Sequence, residues 1–325
     1  MHSLLKLPLY PLAAFGLAAL ALGGMLAVPL KRPPVFAPIQ TGARAIDPSG
    51  TPDLSRFQAR DGTWLAYRLY PAASAGDRIA ILAHGSSAAS NEMNPIAKAL
   101  AASGVTAVAL DVRGHGASAS RGDIAYAGQL EDDLADLLKS LRATRPEARF
   151  VLLGHSLGGG FAARISSTPV GREFDRFVLV APFLGPNAPT SGEGNRQWAS
   201  PDIPRILGLN VLSFFGMTLG EHMPVIAFAN DPAASQYVTS VYSYRLLADY
   251  GPDFDWTKTK AAISAAAAKT AVVAGGEDEL MNAAAFEREL KPLGVAVTVL
   301  PGVNHMGTVN DAAALAAIVA AAKGG

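Results

Sequence analysis

Along most of the chain, short apolar runs alternate with amphipathic stretches. Residues 78–83, 105–110, 150–153, 177–180, 270–273 and 295–300 are runs of mainly aliphatic and aromatic side chains. They are long enough for buried strands and too short for helices. Between them, residues 94–102, 130–141, 161–165, 283–290 and 312–322 read as helices. In 130–141, Glu131, Asp132, Asp133 and Asp136 mark the wet side. Residues 57–70 read as a hairpin turning at Asp61-Gly62. Strands alternating with helices predict an α/β domain whose mainly parallel sheet is covered by helices on both faces.

Two intervals break this rhythm. Between Val180 and Thr270 there is no clear strand–helix unit. The stretch contains "ILGLNVLSFFGMTLG" (206–220) together with Trp198 and Trp256. It is expected to form an inserted, mostly helical cap, about 186–266, over the carboxyl edge of the sheet. Its apolar stripe can pack the cap's own core, or it can line a lid that holds an acyl chain. The second interval is the N-terminus. Residues 7–30 carry no charge, Lys6 precedes them and Lys31-Arg32 follow. The proline-free part, 12–28, is seventeen residues long. That falls between a secretory h-region of about 7–15 residues and a spanning helix of about 17–25. Ala19-Leu20-Ala21 is a poor cleavage site, so 1–32 is expected to be an uncleaved single-pass membrane anchor. A cleaved export signal and a helix buried in the domain are the alternatives. Residues 33–53, rich in Pro, Gly, Ser and Thr, read as a linker, and 54–325 as the α/β domain.

Charge and composition narrow the chemistry. Of 325 residues, half are hydrophobic and the formal net charge is zero, so nothing points to nucleic acid or another polyanion. The chain has no cysteine. Disulfides, thiolate catalysis and cysteine-ligated metals are therefore excluded.

The most informative short stretch is "VLLGHSLGGG" (151–160). A lone serine, Ser156, stands between Gly154 and Gly158, after a strand and before a small-residue helix. A serine on such a turn projects its hydroxyl above the carboxyl edge of the sheet, where ligands of open α/β sheets bind. No lysine follows the glycines, so this is not a phosphate loop.

A serine nucleophile needs a base. Of six histidines, His2 precedes the anchor, His84 lies in "HGSS", His115 in "RGHG" and His222 in the cap. His155 adjoins the serine and is expected to turn its side chain elsewhere. His305, in the loop after the last strand, is the expected base. The orienting carboxylate is expected in "AGGEDEL" (274–280). Asp278 fits best and Glu277 is the runner-up, with the remaining acid facing water. Oxyanion donors are expected from the backbone N–H of Leu157 and of Ser86, with Ser87 as an alternative to Ser86. No cofactor and no metal ion is expected to take part.

These pieces, "LAHGSS", "ALDVRGHGAS", "LLGHSLGGG", "GGEDELM" and "LPGVNHMG", stand in the order found in α/β-hydrolases. The chain resembles the branch that groups monoacylglycerol lipases, lysophospholipases and serine aminopeptidases, from about Phe57 to the C-terminus. The resemblance implies a Ser-Asp-His triad, and it implies that Asp111, Arg113 and His115 order loops near the site. Relatives with an aspartate nucleophile, dehalogenases and epoxide hydrolases, are disfavoured by Ser156. The expected reaction is hydrolysis of a carboxylic ester, a lipid-like monoester in view of the apolar cap and anchor. Aminopeptidase or amidase action is the alternative within the fold, although Glu193, Asp202 and Glu221 form no convincing amine-binding cluster. A catalytically silent hydrolase-like binding protein is the alternative outside enzymology.

Overall fold

The computed structural model describes residues 9–74, 76–231, 233 and 235–324. His2 and Lys6 lie outside the described residues. An apolar helix, α1 (Leu9–Ala27), and a short helix, α2 (Ala37–Arg44), precede the sheet. Then follow β1 (Leu54–Gln58), β2 (Trp64–Tyr70), β3 (Arg78–Ala83), α3 (Asn94–Ala102), β4 (Thr106–Leu110), α4 (Gln129–Thr144), β5 (Arg149–His155), α5 (Leu157–Ile165) and β6 (Phe174–Val180). After a long excursion the chain returns through β10 (Thr270–Gly275), α10 (Ala283–Leu290), β11 (Ala296–Leu300) and α11 (Ala312–Lys323).

The eight strands form one sheet in the order β1-β2-β4-β3-β5-β6-β10-β11. β2 runs antiparallel to both β1 and β4, and the remaining pairs are parallel. Ile81, Leu82, Val108, Leu152 and Leu153 on the central strands are fully buried. Strands covered on both faces need apolar side chains in both directions, which is why they read as unbroken apolar runs. α3 and α11 pack together on one face, and α5 anchors the layer on the other.

The excursion is mostly helical, as expected, but it also carries a small sheet that the sequence did not reveal. It comprises α6 (Asn195–Trp198), β7 (Ala199–Pro201), α7 (Ile203–Phe214), β8 (Pro224–Phe228), β9 (Val241–Ser243), α8 (Tyr244–Tyr250) and α9 (Trp256–Ala265). β7, β8 and β9 form a small antiparallel sheet. α8 and α9 pack against α5 and so extend the helical layer of the main domain.

Residues 33–53 are not a free linker. The Phe36 N–H donates to the Ala229 carbonyl, Ile39 is buried, and the Asn94 amide donates to the Asp47 and Ser49 carbonyls. A Cβ at Gly42 would collide with the Met306 side chain, so α2 lies directly on the loop after β11. The signal for this packing is weak because α2 is short and buries a single residue.

The loop after β4 is ordered by its own polar residues. Asp111 accepts the N–H groups of Ser90 (2.7 Å) and Ala117 (2.8 Å). Arg113, almost fully buried, pairs with Asp133 at 2.7 Å and Asp61 at 2.9 Å. The His115 ring meets the Tyr242 hydroxyl at 2.6 Å. Removing one partner of a buried pair leaves an uncompensated charge. Arg113→Met should therefore lower the unfolding free energy by about 3 kcal/mol, read by urea denaturation. A loss below about 1 kcal/mol, the range of an exposed pair, would contradict this account of the loop.

Candidate active site

The turn between β5 and α5 carries the strain. Ser156 has φ 53° and ψ −117°, a region that costs a non-glycine residue about 1–3 kcal/mol. The surrounding backbone holds it there. Ser156 N–H donates to Val180 O at 2.9 Å, and Ser156 O accepts from Gly159, Gly160 and Phe183. A Cβ at Gly154 would collide with the Gly158 carbonyl, and one at Gly158 with the carbonyls of Ala83 and His84. The two glycines thus let strand, turn and helix approach closely enough to lift Ser156 out of the sheet.

His305 and Asp278 come together from the loops after β11 and β10. His305 Nδ1 lies 2.8 and 3.0 Å from the two Asp278 carboxylate oxygens. Both side chains are essentially buried. Asp278 also accepts the N–H groups of Leu280 and Met281, each at 2.8 Å. Burial alone would pull the His305 pKa down. The charge and hydrogen bond of Asp278, with smaller contributions from Glu279 and Glu92, overcome it and leave it raised. Glu277, the runner-up, is exposed. Glu279 does not simply face water: it accepts the His305 backbone N–H at 2.8 Å and so holds the loop.

The loop after β3 lies against the serine turn. A Cβ at Gly85 would stand 3.4 Å from the Ser156 Cβ. Among the described residues, the backbone N–H groups of Ser86 and Leu157 have no hydrogen-bond partner. The Ser87 N–H is taken by the Tyr242 hydroxyl at 2.8 Å, which removes it as an oxyanion donor. The Ser86 hydroxyl accepts from the Trp198 indole at 2.8 Å and ties this loop to the cap.

His155 is not turned away from the site. Its Nδ1 meets Glu92 at 2.9 Å, and its ring lies 4.8 Å from that of His305, centre to centre. Glu92 also accepts the Gly85 N–H at 2.8 Å. Burial raises the Glu92 pKa, but His155 and the Gly85 N–H outweigh it and hold the carboxylate below its ordinary value. Glu92 was not among the residues expected from the sequence.

Ser156, His305, His155, Ser86 and Ser87 line one pocket. Its apolar wall is Ile39 and Ala43 of α2 with Trp198, Val238, Leu280 and Met306. The Asn230 amide, Ser87 Oγ and His155 Nε2 are buried without partners among the described residues, and all three residues line this pocket. No hydrogen bond joins Ser156 Oγ to His305 Nε2 in this structure. Such contacts commonly tighten only when substrate is bound.

A family model described as "Serine aminopeptidase, S33" matches residues 75–311, a span that includes the serine turn and both loops that meet it. The chain belongs to this family, whose fold is the α/β-hydrolase fold. A rice protein (Oryza sativa subsp. indica) named "Probable esterase PIR7A" is 37% identical to this S33 member over 98 residues, 30% of this chain. That match spans only about a third (35%) of the rice protein. A soluble variant of monoglyceride lipase from Saccharomyces cerevisiae has a similar structure, with a TM-score of 0.63 at 14% identity. The match covers 83% of this chain and 92% of that one. A carboxyl esterase from Bacillus coagulans gives a TM-score of 0.60 at 19% identity, covering 84% and 98%. At these identities the likeness establishes the fold.

The pairing of His305 makes a direct prediction. Its imidazole should titrate above the ordinary value of about 6.5 when followed by NMR. In Asp278→Asn the largest raising charge is lost and burial remains, so the midpoint should fall. An unchanged midpoint would mean that Asp278 is not the group acting on His305.

Proposed function

We propose that this chain hydrolyses carboxylic esters through an acyl-enzyme on Ser156. The observation that carries this reading is the strained Ser156 opening onto the pocket that the His305–Asp278 pair also reaches. In the proposed cycle, Ser156 Oγ attacks the ester carbonyl and its proton passes to His305 Nε2. Asp278 keeps the other ring nitrogen protonated and stabilises the imidazolium. The Ser86 and Leu157 N–H groups donate to the oxyanion. His305 returns the proton to the departing alcohol, and a water molecule then repeats the sequence on the acyl-enzyme.

The pocket favours a substrate with two characters. The apolar wall suits an acyl group. The unpartnered Asn230 amide and Ser87 hydroxyl suit a polar alcohol portion, since buried polar groups need partners. A lipid-like monoester has both. An aminopeptidase needs an anion for the substrate's amine, yet among the described residues the only carboxylate lining the pocket is Glu92, already engaged by His155 and Gly85. Glu221 is paired with Arg245, and Asp202 caps α7. These commitments favour the ester.

Ser156→Ala should lower p-nitrophenyl ester hydrolysis by on the order of 10³-fold or more with the thermal unfolding transition retained. Undiminished turnover in the pure variant would overturn the nucleophile assignment. Asp278→Asn should lower kcat by orders of magnitude and move the acid limb of kcat/KM to lower pH, because the base titrates with a lower pKa. Glu277→Gln should leave both unchanged. A reversed pattern would make Glu277 the orienting acid.

We further propose that α1 is retained as a membrane anchor. Its window Tyr10–Ala27 has a mean hydropathy of 1.7 and no buried residue. The full-length protein should remain with membranes after carbonate extraction with its N-terminus intact. A chain shortened near Ala21 would identify a cleaved signal instead.

A further inference from the structure

Resting on the anchor reading, we infer that the cap helix α7 and the turn after it enter the phospholipid bilayer beside α1. Three observations carry this.

The first is the direction of the apolar side chains. In α7, Ile203, Leu207, Val211 and Phe214 project outward at helical spacing and are exposed, as are Phe215, Met217 and Leu219 beyond it. Phe214 is 84% and Leu219 77% exposed. The inner face of α7 is apolar as well, with Ile206, Leu209 and Leu212 buried, whereas an amphipathic helix on a water-soluble cap would carry a polar outer face. Large contiguous apolar patches mark contact surfaces.

The second is that α1 is seated on this same helix. Leu22, Met25 and Leu26 form the half-buried stripe of α1, and all three meet α7 at Gly208. A Cβ at Gly208 would stand 3.2 Å from both Leu22 and Leu26, so the glycine permits the close approach.

The third is a polar joint at one end of the pair. Arg205, almost fully buried, donates to the carbonyls of Leu26 (3.1 Å) and Val28 and to Pro224 O at 2.6 Å. It thereby satisfies carbonyls left open at the end of α1. Lys31 and Arg32 follow at once, as expected of side chains at headgroup level.

These contacts set the insertion geometry. Arg205 meets the end of α1, and Gly208 meets Leu22 one turn earlier, so the two helices run antiparallel. Phe214 lies about 9 Å beyond Gly208 along the axis, beside the middle of α1. If α1 enters the hydrocarbon, the tip of α7 enters with it. Withdrawing these large apolar side chains from water favours insertion. The bilayer is the occupant that continues the surface of α1 without a break.

The absence of cysteine permits single-site labelling of the full chain. Leu17→Cys, Phe214→Cys, Leu219→Cys and Glu147→Cys, the last on an exposed loop remote from the cap, would each carry an NBD fluorophore in phosphatidylcholine vesicles. Labels at 17, 214 and 219 should be quenched several-fold by doxyl lipid and shielded from iodide. The label at 147 should show the opposite. Quenching by doxyl lipid at 17, with iodide quenching at 214 and 219, would overturn the inference while leaving the anchor standing. Iodide quenching at 17 as well would overturn the anchor reading and the inference with it. Labels at 214 and 219 shielded from both quenchers would show the face covered by a second copy, which also contradicts insertion.

Discussion

The site depends on one unfavourable backbone conformation. Ser156 is held at a positive φ by hydrogen bonds from two directions, the Val180 carbonyl and the N–H groups of α5 and Phe183. That arrangement requires β5 between β3 and β6, and it requires Gly154 and Gly158 where any side chain would force the backbones apart. The cost of the turn is met by a sheet whose central strands are completely buried. The scaffold's stability and the placement of one hydroxyl at the pocket are in this sense the same structural fact.

A second layer of polar contacts fixes the loops around that hydroxyl. Glu92 joins Gly85, at the start of the loop bearing Ser86, to His155, the residue before the serine. Glu279 and Asp278 hold the backbone and the ring of His305. α2 lies on Met306, the next residue, and supplies part of the pocket wall. The short helix α2 after α1 is therefore built into the site, and only residues 28–36 separate it from the apolar N-terminal helix. That proximity gives the anchor and insertion proposals their functional sense: substrate partitioned into lipid would lie near the wall formed by Ile39 and Ala43.

The parallel strands were legible because burial on both faces leaves an unbroken apolar signature, as in β3 and β5. The serine turn was legible because glycine spacing and strand context are local. The acidic loop after β10 was legible as the source of the orienting carboxylate, and the Asp278 carboxylate is the one that reaches the His305 ring. Long-range polar contacts were not legible. Glu92 lies far from His155 in sequence, and nothing local marks Glu279 as a backbone acceptor. β7 and β9 are three residues each, too short for an alternating pattern, so the small sheet among the cap helices was not legible. The outward apolar face of α7 was seen as a stripe, but its direction depends on the inward packing of Leu209 and Leu212 and on the contact with α1, which no periodicity reports.

The central claim is that Ser156 becomes covalently modified during turnover. Peptide mapping by mass spectrometry after exposure of the full-length protein to a fluorophosphonate tests it most directly. The account predicts a single stoichiometric phosphonyl adduct on the peptide containing Ser156, lost when the protein is first unfolded. An unmodified Ser156 in folded protein, or an adduct on another serine such as Ser86 or Ser87, would contradict it.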